Sequence, residues 1–209
     1  MEWLLIGIIF STFFILGSGR ITSCIRAAAM QGALLSLLPM VVRGSLVDPH
    51  SLGLFVGTFL IKAILIPFML FRSMREASIR EEIEPTVSLH LSLLAGGLVV
   101  VIAFSGVFSR LPGANTPLIV PAALSMVLLG FLLLVSRKKA VTQVIGFLVL
   151  ENGVFLFGMT LVKEFPITVE MGVLLDLLVG VFVMGIMIYH INRTFDHIDT
   201  TLLTSLKDS

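Results

Sequence analysis

The stretch QVIGFLVLENGVFLFGM, residues 143–159, decides how the whole chain is read. Apart from Gln143, Glu151 and Asn152, every residue in it is apolar or glycine. With its flanks it forms an apolar run over 140–162, and a bilayer-spanning helix takes about 20 such residues. The rest of the chain repeats the pattern. It has 209 residues, 57% of them hydrophobic and only 13% charged. A soluble domain has about a quarter of its residues charged. The mean hydropathy is +1.09. These properties predict an all-α fold, a polytopic membrane bundle of about seven transmembrane helices.

The expected spans are 3–18, 21–42, 52–71, 87–108, 117–135, 140–162 and 168–191. Between them lie turn and breaker residues, as in LVDPHS, REEIEPT, RLPGANTP and EFPIT. The first span is short and the junction at Gly17 to Gly19 is tight, which leaves six spans as the alternative. No span alternates with period 2, as a membrane β-barrel strand would. The N-terminus lacks a basic leader and a clear cleavage site, so the first helix is expected to be retained. A net charge of +1 without a long basic run gives no support to nucleic-acid binding.

Basic residues set the expected orientation. With the N-terminus outside, Arg20, Arg72, Arg75, Arg80, Arg137, Lys138, Lys139, Arg193 and Lys207 face the cytoplasm. Only Arg43, Arg110 and Lys163 face out, so the reading is N-out, C-in. The chain then divides into an N-terminal helical part (1–136, about five spans), a helix pair (137–192) and a cytoplasmic tail (193–209). The tail carries Ile198, Leu202, Leu203 and Leu206 on one face, suited to a neighbouring subunit or to lipid. The mixed charges of RSMREASIREEIE read as a solvated helix extension with i,i+4 pairs, or as a docking segment.

Four charges fall inside spans: Arg26, Lys62, Glu151 and Asp176. Each costs at least about 2.5–3.5 kcal/mol at a helix centre, and such groups mark ion or substrate paths. Glu151 has about ten apolar or small residues on each side. Desolvation there favours its neutral form, the property a proton carrier uses. The competing reading is a structural carboxyl bonded to a neighbouring helix, with Asn152 beside it. Asp176 shares a helix face with Gly172 and Gly180, four residues away on either side. That face suits water near an acid, or simply close helix packing.

Lys62 has Thr58 one turn earlier and Pro67 five residues later. Pro67 removes a backbone bond to the Ala63 carbonyl and is expected to kink the helix. Lys62 is a candidate to carry a proton or to bias a nearby acid; the alternative is snorkelling to an interface. Snorkelling is the expectation for Arg26. The short KEFPIT connection makes the last two spans antiparallel neighbours. It sets Glu151 and Asp176 at heights differing by about 6 Å, close enough for a water-linked relay. No HxxxH or HExxH pair occurs, so a metal site has no support. One cysteine, Cys24, cannot supply a disulfide framework or the four thiolates of an iron–sulfur cluster.

The segment SRKKAVTQVIGFLVLENGVFLFG (136–158) resembles the second helix of complex I subunit K and its antiporter-complex relatives. Aligning Ile145, Gly146 and Asn152 puts the family glutamate at Leu148, so the acid here has moved three residues, to Glu151. Asp176 with Gly180 resembles the family's next helix, where a glutamate precedes a glycine by four. The closer resemblance is to the hydrogenase-4 component E family, carried by LENG, LLDLLVG, IKAILIP and DTTLLTSLK. It implies a non-redox subunit on a proton or sodium path in a prokaryotic cytoplasmic (inner) membrane. The implied partners are antiporter-like membrane subunits, an H-like membrane subunit of the complex I type, a cytoplasmic [NiFe]-hydrogenase arm, and lipid. The nickel–iron centre and iron–sulfur clusters would belong to those partners, with no cofactor in this chain. A structural subunit, or a cation/proton antiporter subunit without a redox arm, are the alternatives.

Overall fold

A computed structural model describes residues 2–43, 49–76, 82–83, 87–105 and 118–161, together with positions 172, 179, 180 and 185. These residues are helical apart from the junctions, and form no strand beyond an isolated bridge between Arg20 and Glu82. The helices are α1 (Glu2–Gly17), α2 (Ile21–Arg43), α3 (Pro49–Phe59), α4 (Ile66–Glu76), α5 (Leu89–Phe104), α6 (Ile119–Ser136) and α7 (Ala140–Leu161). A π-helical turn, Leu60–Leu65, joins α3 to α4. The third expected span is therefore one helix with a widened turn in its middle.

Four segments among the described residues are long and apolar enough to cross a membrane: Ile21–Pro39, Phe55–Arg75, Ile119–Ser136 and Ala140–Met159. Glu2–Gly17 and Leu89–Phe104 are shorter apolar helices. The protein is thus an all-helical membrane protein. The expected seventh span lies outside the described residues except for Gly172, Val179, Gly180 and Gly185, which are helical. Asp176 and the tail 193–209 also lie outside them.

The closest-packed pair is α6 and α7. Three glycines let the two backbones meet. A Cβ on Gly130 would lie 2.5 Å from the Leu150 nitrogen, and one on Gly153 would lie 2.7 Å from the Val127 nitrogen. One on Gly146 would lie 3.0 Å from Leu133 Cβ and from the Leu134 nitrogen. Small residues bring helices together this way where lipid supplies no hydrophobic drive between them. A tight turn at Arg137 to Lys139 reverses the chain. Lys139 O accepts from the Thr142 and Gln143 amides, and Gln143 Nε2 donates to Arg137 O at 3.1 Å.

That turn is locked to α1. Arg137 is only 2% exposed, and its Nη2 donates to the Leu16 carbonyl at the end of α1. Burial pulls its guanidinium below the ordinary arginine value. Ile83 N–H donates to Gly19 O at 2.9 Å, and Lys139 Nζ donates to Glu82 O. Glu82 and Ile83 therefore lie against the chain's own turns, with Ile83 packed against the core. These contacts gather Arg20, Arg137, Lys138 and Lys139 at one end of the bundle.

Two apolar clusters fill the interior. One lies toward the basic end and includes Leu16, Ile21, Ile25, Leu70, Leu133 and Ile145. The other lies toward the opposite end and includes Leu5, Ile8, Leu35, Leu38, Met126 and Leu156. Gly130→Ala would force α6 off α7, because the obstacle is backbone and cannot rotate away. It is expected to destabilise by about 1–3 kcal/mol, the usual cost of overpacking. Gly97→Ala, where an added Cβ meets nothing within 4 Å, is the matched control. Thermal aggregation of the tagged chain in detergent extracts checks this: the first variant should aggregate at lower temperature and the second should not.

Candidate functional site

Between the two apolar clusters lies a layer of buried polar side chains: Thr12 from α1, Gln31 from α2, Lys62 from the π-helical turn, and Glu151 and Asn152 from α7. Lys62 and Glu151 are 89 residues apart in sequence, and their side chains form an ion pair. The two side chains are 4% and 1% exposed, so the pair is desolvated and Lys62 reaches neither end of the bundle. Lys62 Nζ also donates to Asn152 Oδ1 at 3.1 Å and lies 5.7 Å from the centroid of the Phe155 ring, within cation–π range.

The polar layer continues across the bundle. Asn152 Nδ2 donates to Gln31 Oε1 at 3.1 Å. Gln31 Nε2 donates to Thr12 Oγ1 at 2.7 Å and to the Ile8 carbonyl at 3.2 Å. Ser11 and Thr12 hydroxyls donate to the same carbonyl. A backbone carbonyl only accepts, so it fixes the direction of the chain. It turns the Gln31 NH2 toward α1, which turns the Asn152 NH2 toward Gln31. Asn152 Oδ1 is left facing Lys62, where it stabilises an ammonium.

Local backbone features seat Lys62. Ile66 N–H donates to Ile61 O, five residues back, in the π-helical pattern. Pro67 has no N–H, so the helix cannot return its next bond. Single π-turns are frequent at functional sites. Gly32 of α2 lies directly against this turn. A Cβ there would come within 2.8 Å of Lys62 Cβ and 3.0 Å of the Lys62 carbonyl. Beside Lys62 and Asn152 is a cavity of ≈ 10 Å³, lined also by Ala28, Gly32, Ile66, Pro67, Leu70 and Leu148. That is about the free volume one water needs.

The structure thus brings Glu151, Asn152, Lys62 and Pro67 to one place. Thr58 is half-buried one turn earlier and lies outside this set of bonds. Gly172 is half-buried against Phe155, where an added Cβ would lie 3.3 Å from the ring. Gly180 is half-buried, with nothing within 4 Å of an added Cβ. Arg26 is on the exposed face of α2. Gln31 and Thr12 escape a reading based on charges. An amide inside the apolar stretch AAAMQGALL is the signal that marks Gln31. Among the described residues, no three His, Cys, Asp or Glu side chains converge.

Removing one member of a buried pair costs about 3–5 kcal/mol, because the other charge is left without its partner. Lys62→Met is therefore expected to lower the level of intact chain and its aggregation temperature in detergent extracts. Adding Glu151→Gln to Lys62→Met should restore part of that loss. A double variant as unstable as the sum of the two singles would show that the groups are not coupled.

Over 206 residues the chain is 30% identical to an uncharacterized protein of Mycobacterium tuberculosis, a match covering 97% of this chain and 93% of the relative. No family model matches, and no solved structure matches significantly. Over 158 residues it is 33% identical to hydrogenase-4 component E of Escherichia coli K12, covering 72% of this chain and 71% of that protein. The proteins of the same name from Escherichia coli O157:H7 and Shigella flexneri match equally. At that identity and coverage, the chain belongs to the hydrogenase-4 component E family.

Proposed function

We propose that the protein is a non-redox membrane component of a hydrogenase complex built from several subunits and related to complex I, and that it contributes to ion translocation through the Lys62–Glu151 pair. The observation that carries this reading is the buried pair itself, held in a polar layer between two apolar clusters. Membership in a family named for a hydrogenase component supports the complex. Intramembrane charges that pair with each other are the usual elements of ion and proton paths. Asp176, in the next expected span, is the relay partner in this reading, with Gly172 and Gly180 clearing its face.

In the same reading the chain has about seven spans, N-out and C-in, in a prokaryotic inner membrane. The helix pair 137–192 carries the acids, and the tail 193–209 docks on a neighbour at the cytoplasmic face. The neighbours are antiporter-like membrane subunits, an H-like membrane subunit of the complex I type and a cytoplasmic hydrogenase arm. Hydrogen chemistry, with its nickel–iron centre and iron–sulfur clusters, belongs to that arm. Here a single cysteine falls short of the thiolates such a cluster takes.

A purely structural role is the second reading, favoured by the bonds that tie α1, α2 and α7 through Gln31. Glu151→Gln separates the two, since glutamine keeps the volume and can still accept a bond from Lys62 but cannot ionise. In the purified, assembled complex this variant is expected to keep dye-linked hydrogen turnover. Its ion pumping into vesicles should fall by about a hundredfold or more. Pumping at the wild-type rate would make the carboxylate structural.

A further inference from the structure

We infer that the ion handled by the Lys62–Glu151 pair is the proton, and that it enters the pair from one end of the bundle, the end carrying Arg20, Arg137 and Lys139. The exchange runs through the single-water cavity bounded by Ala28, Pro67, Leu70 and Leu148. This rests on the reading that the pair moves an ion, and adds which ion and by which route.

The position of the cavity gives the direction. Ala28 lies one turn before Gly32, toward the start of α2. Leu148 lies three residues before Glu151, toward the start of α7. Leu70 lies eight residues after Lys62, toward the end of α4. On all three helices the displacement is toward the basic end. The cavity is thus a step from the pair to that end. At that same end of the bundle are polar atoms that want water. Among the described residues, Ser73 Oγ, Ser92 Oγ and Arg137 Nη1 are buried without a hydrogen-bond partner. Ser73 lies one turn past Leu70 on α4, Ser92 is in the first turn of α5, and Arg137 is in the basic turn itself. Buried polar atoms of this kind are where internal water is held.

Among the described residues, the line of bonds that leaves the pair in the other direction carries no proton. It leads through Asn152 and Gln31 to Thr12 and the Ile8 carbonyl. Neutral amides do not take up and release protons at ordinary pH. The line ends on a carbonyl that already accepts from Ser11, Thr12 and Gln31. Beyond it lies the second apolar cluster. This branch holds Asn152 in position and conducts nothing.

The identity of the ion follows from what occupies the carboxylate. A sodium ion would need the place that the tethered Lys62 ammonium already holds on Glu151. It would also need several oxygen ligands, whereas Asn152 is the one residue lining the cavity whose side chain carries an oxygen, and that oxygen already accepts from Lys62. A proton needs neither. Lys62 passes a proton from Nζ to Glu151, and a hydronium in the cavity returns one to Nζ, leaving water. The pair then holds one extra proton, as a neutral carboxyl beside an ammonium. From there it would pass to Asp176, the relay partner of the proposed function.

The test uses the assembled complex in sealed vesicles buffered with potassium salts. Side is assigned by a label on Lys138→Cys, at the exposed tip of the basic turn. Ala28→Val should fill the cavity and lower proton pumping by about tenfold, with dye-linked hydrogen turnover unchanged. The infrared carboxyl band that Glu151→Gln abolishes should respond to acid added on the Lys138 side and not to acid on the other. If Ala28→Val does not assemble, this measurement on the unmodified complex decides. A band that responds equally from both sides, or an Ala28→Val complex pumping at the wild-type rate, would overturn the route. Pumping that requires added sodium would overturn the ion. Both would leave the site reading intact as long as Glu151→Gln abolishes pumping; if Glu151→Gln pumps normally, the site reading itself fails.

Discussion

A lysine ammonium and a glutamate carboxylate meet in the middle of an apolar bundle, and most of the other interior choices follow from keeping that pair together. Neither charge survives there alone, because removing it from water costs several kcal/mol per ion. Together they still need their remaining donors and acceptors satisfied. Asn152 serves the ammonium, Gln31 orients Asn152, and the Ile8 carbonyl orients Gln31. The polar groups of four separate segments form one connected layer, and an error in any one leaves the next unpaired.

That layer constrains the backbone. Lys62 can stand between α2 and α7 only because Gly32 lets α2 approach its main chain, and because the helix widens to a π-turn ahead of Pro67. Glu151 is held in depth and direction by the glycine contacts of α6 with α7, which fix α7 about its own axis. The Arg137 contact to Leu16 O then ties that hairpin to α1. The apolar clusters on either side keep bulk water away from the pair. In such surroundings the attraction between the two charges is strong, and a single water in the adjoining cavity matters more than it would at a surface.

Among the described residues, Ser73, Ser92 and Arg137 leave buried polar atoms without partners in the half of the bundle nearest the basic turns. The half beyond Gln31 ends in a carbonyl already accepting three side-chain bonds. A bundle built only for rigidity would gain from satisfying or removing those atoms. Their position suits a site that admits water from that end.

Much of this is legible from the sequence. Hydropathy and length mark the spans, because each helix must satisfy its own backbone in lipid, so the signal is local and needs no knowledge of neighbours. Glu151, Asn152 and Lys62 stand out for the same reason, as polar groups in apolar runs, and Pro67 announces a disturbed helix. The sequence could not say that Lys62 is the partner of Glu151. That depends on which helices adjoin and how each is rotated. Close approaches at Gly32, Gly130, Gly146 and Gly153 set those relations, and in the sequence these glycines look like any others. Gln31 draws no notice there because it carries no charge, and Arg137 counts with its exposed neighbours although the fold buries it. What a residue costs in a membrane is fixed by its own chemistry; what it bonds to there was decided only when the helices packed.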